Sequence, residues 1–155
     1  MKIRILSVSK TKQGFIEDGE EEYLKRIRSF ASIERIEIGV ASSSSLSQTE
    51  LLSKEAQQLL SKIRKDEFLI VLDEHGKEFN SKQFASYLYD KQKEGVSKFC
   101  FVIGGAYGLD KKIKEKAKIM LSLSRLTFPY QLTRLILIEQ LYRAFSIIAG
   151  NPYHK

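Results

Sequence analysis

Thiols and imidazoles are scarce in this chain, which has one cysteine and two histidines in 155 residues. The lone Cys100 excludes a disulfide framework and a cysteine metal cluster, and it fits a reducing compartment. His75 and His154 lie too far apart to support a metal centre or a nucleophilic triad with so few partners. No apolar run is long enough to cross a membrane. The opening MKIRILSVSKTK lacks the sustained apolar stretch of a signal peptide, so a cytoplasmic protein is expected. The GxGxxG and Walker patterns are absent, as are internal repeats and linkers. What is present is an ordinary globular composition, 43% hydrophobic and 29% charged, in a length that suits one domain over residues 1–155.

The net charge of +7 is unevenly placed. From Leu109 onward there are nine Lys/Arg against three Asp/Glu, whereas residues 1–108 carry 17 against 16. Clustered positive charge points to a polyanionic partner, with nucleic acid first. The run Lys111, Lys112, Lys114, Lys116 and Lys118 also reads as one solvated helix face.

Apolar periodicity alternates between strand and helix along the whole chain. Strands are expected over residues 3–8, 36–40, 68–72, 99–103 and 119–123. Helices are expected over 15–30, 49–65, 80–93, 110–118 and 131–149, with residues 42–45 supplying a cap for the second. The continuous apolar runs at 68–72 and 99–103 mark strands buried on both faces. This order predicts an α/β fold, a mostly parallel sheet with helices on both faces.

Two of these strands run into small-residue loops. Gly104-Gly105-Ala106-Tyr107-Gly108 follows one strand and precedes a helix, where glycine lets a ligand approach the backbone. A tight turn that merely needs positive φ would look the same. Leu123-Ser124-Arg125-Leu126-Thr127-Phe128 leaves the last strand and is stopped by Pro129. Backbone polar groups beside apolar side chains suit a flat heteroaromatic ring, although an ordinary capping loop is the plainer reading. On the final helix Thr133, Glu139, Gln140, Arg143 and Ser146 gather on one side. Arg134 falls instead among Leu137, Ile138, Leu141, Phe145 and Ile148, where a guanidinium either snorkels out from the first turn or needs a partner: another subunit, the terminal carboxylate or a phosphate. Glu139 and Arg143 stand one turn apart and pair structurally. His75 reads as a surface residue, and His154 sits in a terminal cluster with Tyr153 and Lys155.

Taken together, LDEHGK (72–77), FVIGGAYGL (101–109), LSLSRLTFP (121–129) and RLILIEQLYRAFSIIAGNPYHK (134–155) resemble the bacterial 23S rRNA pseudouridine-N3 methyltransferases of type H. The resemblance covers the whole chain. It implies a SPOUT-class α/β fold with a C-terminal trefoil knot, acting as a homodimer without metal or membrane. It also implies S-adenosylmethionine held by Leu72, Gly104, Leu123, Ser124, Arg125, Leu126, Thr127 and Phe128. The acceptor it implies is N3 of a pseudouridine in a 23S rRNA hairpin of the assembled ribosome. Two departures from the family pattern are visible: Tyr130 stands where members usually carry His, and Ala106-Tyr107 vary within the glycine turn.

Methyl transfer to an imide nitrogen requires alignment and removal of one proton. His154 is the candidate base, Tyr153 its helper, and Arg134 the candidate for orienting the substrate or balancing negative charge. A non-catalytic, flavodoxin-like nucleotide- or RNA-binding module is the alternative.

Overall fold

Five parallel strands form the centre of the molecule. The computed structural model describes residues 1–8, 14–39 and 46–153. In chain order the elements are β1 (Lys2–Val8), α1 (Gly14–Ile27), β2 (Ser32–Ile38), α2 (Gln48–Lys62), β3 (Phe68–Glu78), α3 (Ser81–Lys93), β4 (Lys98–Ile103), α4 (Lys111–Lys114), β5 (Ile119–Ser122) and α5 (Tyr130–Ile148). The sheet order is β2-β1-β4-β3-β5. The period-two alternation of each strand divides the core between two layers. Ile3, Ile5, Phe99, Phe101 and Ile103 pack against α1, α3 and α5. Leu6, Val8, Leu69, Val71, Cys100 and Val102 pack against α2 and α4 on the other face. The expected parallel α/β architecture with helices on both faces is what forms.

Local chemistry sets the helix boundaries. Ser47 caps α2 and Asn80 caps α3, each in a reciprocal capping box with the residue three positions on, Glu50 and Gln83. The cap of α2 is therefore Ser47; residues 42–45, expected to supply it, lie outside the described residues, as does Val40. Asp110 caps α4 by accepting the Lys112 N–H, but the helix covers four residues rather than nine. Its chain tightens into i→i+3 bonds at Lys116 and Ala117, and the Lys118 N–H then turns to the carbonyl of Leu69 in the sheet. At the far end of α5, the Asn151 N–H reaches Ser146 and the Gly150 N–H reaches Ile147, with Gly150 at φ 71°. That is a Schellman stop. Ser146, expected on the polar side of α5, is fully buried.

β3 departs most from expectation. Instead of ending at Leu72 it pairs with β5 twice: Leu72 faces Leu121, and so does Lys77 after a register jump. The four residues between, 73–76, are displaced from the ladder as a bulge. Gly76 lies so close to β5 that a Cβ there would sit 2.6 Å from the carbonyl carbon of Met120. Gly76→Ala is therefore expected to cost about 1–3 kcal/mol, because backbone rather than a flexible side chain must move. Gly14→Ala, with open space around it at the start of α1, is expected to be neutral or stabilising. Urea denaturation midpoints of the two variants check the contrast.

Candidate active site

β4, β3 and β5 lie side by side, and the chain leaving each lines one cleft of about 840 Å³. Such crevices beyond strand carboxyl ends are the usual ligand position in open parallel sheets. From β3 come Leu72, Asp73, Glu74 and His75; from β4 come Ile103 and the turn from Gly104 to Gly108; from β5 come Leu121, Leu123, Ser124, Leu126, Thr127 and Phe128. Pro129, Tyr130 and Thr133 at the start of α5 complete one side, and Lys114 of α4 reaches in from another. Gly104 has no room for a side chain, because a Cβ would collide with the carbonyl of Gly108, itself at φ 77°. The glycines here thus let the turn fold tightly against β4, and the backbone becomes a wall of the cleft.

Side chains hold the loop after β5 in place. Thr127 donates from Oγ1 to Glu74 at 3.1 Å, and Arg125 donates from Nε to Glu78 at 2.9 Å. The Leu126 N–H donates to Ser124 Oγ at 2.9 Å, and Ser122 Oγ donates to the Ser124 carbonyl at 3.0 Å. The bulge of β3 and the loop after β5 are in this way tied to each other across the mouth. On the cleft wall Lys114 Nζ meets Asp73 at 2.6 Å, and Asp73 also accepts the His75 N–H at 2.9 Å. Burial works against the Asp73 charge, but Lys114 and the His75 N–H outweigh it and hold the carboxyl below its ordinary range. The His75 imidazole is exposed, as expected.

Seven of the eight residues expected to hold the cofactor line this cleft; Arg125 does not, its guanidinium lying on Glu78. Arg134 and Tyr153 are elsewhere. Arg134 is 2% exposed and bonds Glu20 at 2.6 Å, Glu37 at 2.7 Å and Ser7 Oγ at 2.8 Å. Its partners are thus internal carboxylates rather than another subunit, the chain terminus or a phosphate. Glu20, fully buried, also pairs with Arg35. Tyr153 packs edge-on to Tyr142 at 4.6 Å under the Arg143 guanidinium, its hydroxyl 3.2 Å from Glu139 and 3.4 Å from Tyr23. Burial, then the Tyr23 hydrogen bond and the Glu139 charge, push this phenol well above its ordinary range. Glu139 and Arg143 pair at 2.6 Å, as their spacing predicted. His154 and Lys155 lie outside the described residues.

A family model described as "Predicted SPOUT methyltransferase" matches residues 1–154. The chain belongs to the SPOUT methyltransferase family. Among curated relatives, "Ribosomal RNA large subunit methyltransferase H" of Streptococcus gordonii is 42% identical, and that of Carboxydothermus hydrogenoformans 43%, each alignment covering 100% of both chains. Among solved structures, a probable methyltransferase from Bordetella pertussis aligns with a TM-score of 0.58 at 12% identity, over 92% of this chain and 95% of the other. A probable methylase family protein from Haemophilus influenzae aligns with a TM-score of 0.54 at 14% identity, over 99% of this chain and 70% of the other. These two carry the fold alone. The non-catalytic alternative gives way: the chain is an S-adenosylmethionine-dependent methyltransferase.

The cleft of this SPOUT methyltransferase fits such a donor in its chemistry. Leu72, Ile103, Leu121, Leu123 and Phe128 offer apolar faces to a ring, backbone beside them offers edge hydrogen bonds, and charge is confined to one wall. Sequence reading missed Asp73, Glu74, Lys114, Tyr130 and Thr133 as cleft residues. The motif LDEHGK held part of that signal, whereas Lys114 was indistinguishable from its solvated neighbours. Around Arg134, removing one buried partner strands the other charge. Glu20→Ala is expected to lower unfolding free energy by about 3–5 kcal/mol. Glu22→Ala, which breaks an exposed pair with Arg26, is expected to leave the chemical denaturation midpoint unchanged.

Proposed function

We propose that this methyltransferase modifies N3 of a pseudouridine in 23S rRNA of the assembled ribosome, acting as a homodimer. Full-length identity of 42% to relatives named as large-subunit rRNA methyltransferases supports the substrate class. The observation that carries the reading is the union of the glycine turn and the 123–128 segment in one cleft, as the type H motifs require.

The donor supplies an electrophilic methyl group; the chain must hold the acceptor ring in line and take one imide proton. Leu72, Gly104 and the loop after β5 form the surface that holds the donor, fixed by the Thr127–Glu74 and Arg125–Glu78 bonds. His154 is the proton acceptor in this reading, because imidazole titrates near neutrality. Tyr153 is a poor base with its raised pKa and serves instead to clasp the tail onto α5. Arg134 acts by fixing the first turn of α5, from which Tyr130 and Thr133 line the cleft.

Reach supports the dimer. The Asn151 N–H is bonded to Ser146, and Thr133 to Ser146 spans about 20 Å of helix. Three residues beyond Asn151 cover at most about 10 Å. In the proposed dimer the tail of one protomer serves the cleft of its partner, and the basic excess after Leu109 meets phosphate.

Methyl transfer from labelled donor to ribosomes, with the product nucleoside identified by mass spectrometry, tests the proposal. N3-methylpseudouridine is the expected product, and methylation of another base or of protein would refute it. His154→Ala is expected to lower kcat by about 10²–10⁴-fold without weakening cofactor affinity. Activity near wild type would remove His154 from the mechanism.

A further inference from the structure

A nucleoside ring and its sugar need apolar faces and backbone hydrogen bonds, and most of the cleft offers these. One wall does not fit that description. Asp73 and Lys114 face each other across 2.6 Å, the carboxylate side chain 11% exposed and the lysine 35%. Both line the cavity. They reach it from separate elements: Asp73 is the first residue of the β3 bulge, and Lys114 follows Ile113, whose fully buried side chain pins α4 to the core. The neighbouring anion Glu74 already accepts the Thr127 hydroxyl, and Lys114 is the one lysine or arginine among the described residues lining the cleft.

An anion and a cation in contact on a cavity wall are the mirror image of an α-amino-acid terminus, which carries one ammonium and one carboxylate. We propose that Asp73 receives the α-ammonium and Lys114 the α-carboxylate of the donor's amino-acid end. This rests on the donor-site reading above and adds a specificity element to it. Each protein charge exchanges one partner for another, so neither is left desolvated and unpaired. The His75 N–H keeps Asp73 oriented meanwhile. The pair thus selects ligands that carry the amino-acid end over bare nucleoside thioethers.

Calorimetric titration of the full chain with S-adenosylhomocysteine and with 5′-methylthioadenosine, which lacks the amino-acid end, tests this without turnover. Lys114→Met is expected to weaken S-adenosylhomocysteine about tenfold, the scale of one charged hydrogen bond, and to leave methylthioadenosine unchanged. Lys114→Arg is expected to retain affinity for both, and Asp73→Asn to show the same selective loss as Lys114→Met. Equal weakening of both ligands would overturn the proposal, as would unchanged S-adenosylhomocysteine binding, which would leave Lys114 to solvent or an RNA phosphate. Wild-type protein that binds neither ligand would defeat the donor-site reading itself.

Discussion

β3 and β5 pair twice, with a bulge between the two stretches of ladder. The cleft depends on that irregularity. A regular ladder would carry residues 73–76 along the sheet; the register jump instead projects them over the strand ends, where Asp73, Glu74 and His75 become a wall. Gly76 makes this possible by letting two backbones approach within a distance no side chain tolerates. Once the bulge stands there, Glu74 and Glu78 are in place to take Thr127 and Arg125, and the loop after β5 closes the other side.

A second constraint fixes the α5 side of the cleft from behind. α5 lies between α1 and α3, and Arg134 in its second turn is bolted to Glu20, Glu37 and Ser7. Buried ion pairs add little net stability, but they punish misplacement severely. Here they connect the helix that begins at the cleft to the carboxyl ends of β1 and β2. The same helix carries Tyr142, Arg143 and Glu139, which clasp Tyr153 at its other end. One rigid element therefore joins a wall of the cleft to Tyr153.

Much of this was legible in the sequence, for stated physical reasons. The continuous apolar runs before Asp73 and Gly104 gave parallel, doubly covered strands, and apolar periodicity gave the helix over 80–93, though not Asn80 as its cap. Helical spacing put Arg134 in the apolar stripe, but left open whether it is buried, and Glu20 and Glu37, its partners from distant elements, carry no local mark. Likewise nothing local distinguishes Lys114 from Lys112 until Ile113 is seen to anchor α4. The bulge in β3 was invisible, because a register jump depends on the partner strand. Motifs carried the family further than periodicity could, through the conjunction of LDEHGK, GGAYG and LSLSRLTFP.

We propose the cleft beyond β3, β4 and β5 as the methyl-donor site. A crystal structure of the full chain saturated with S-adenosylhomocysteine tests it most directly. The nucleoside is expected between the Gly104 turn and the loop holding Leu123 to Phe128, against Leu72. Ligand bound elsewhere on the protein, with this cleft empty at saturation, would contradict it.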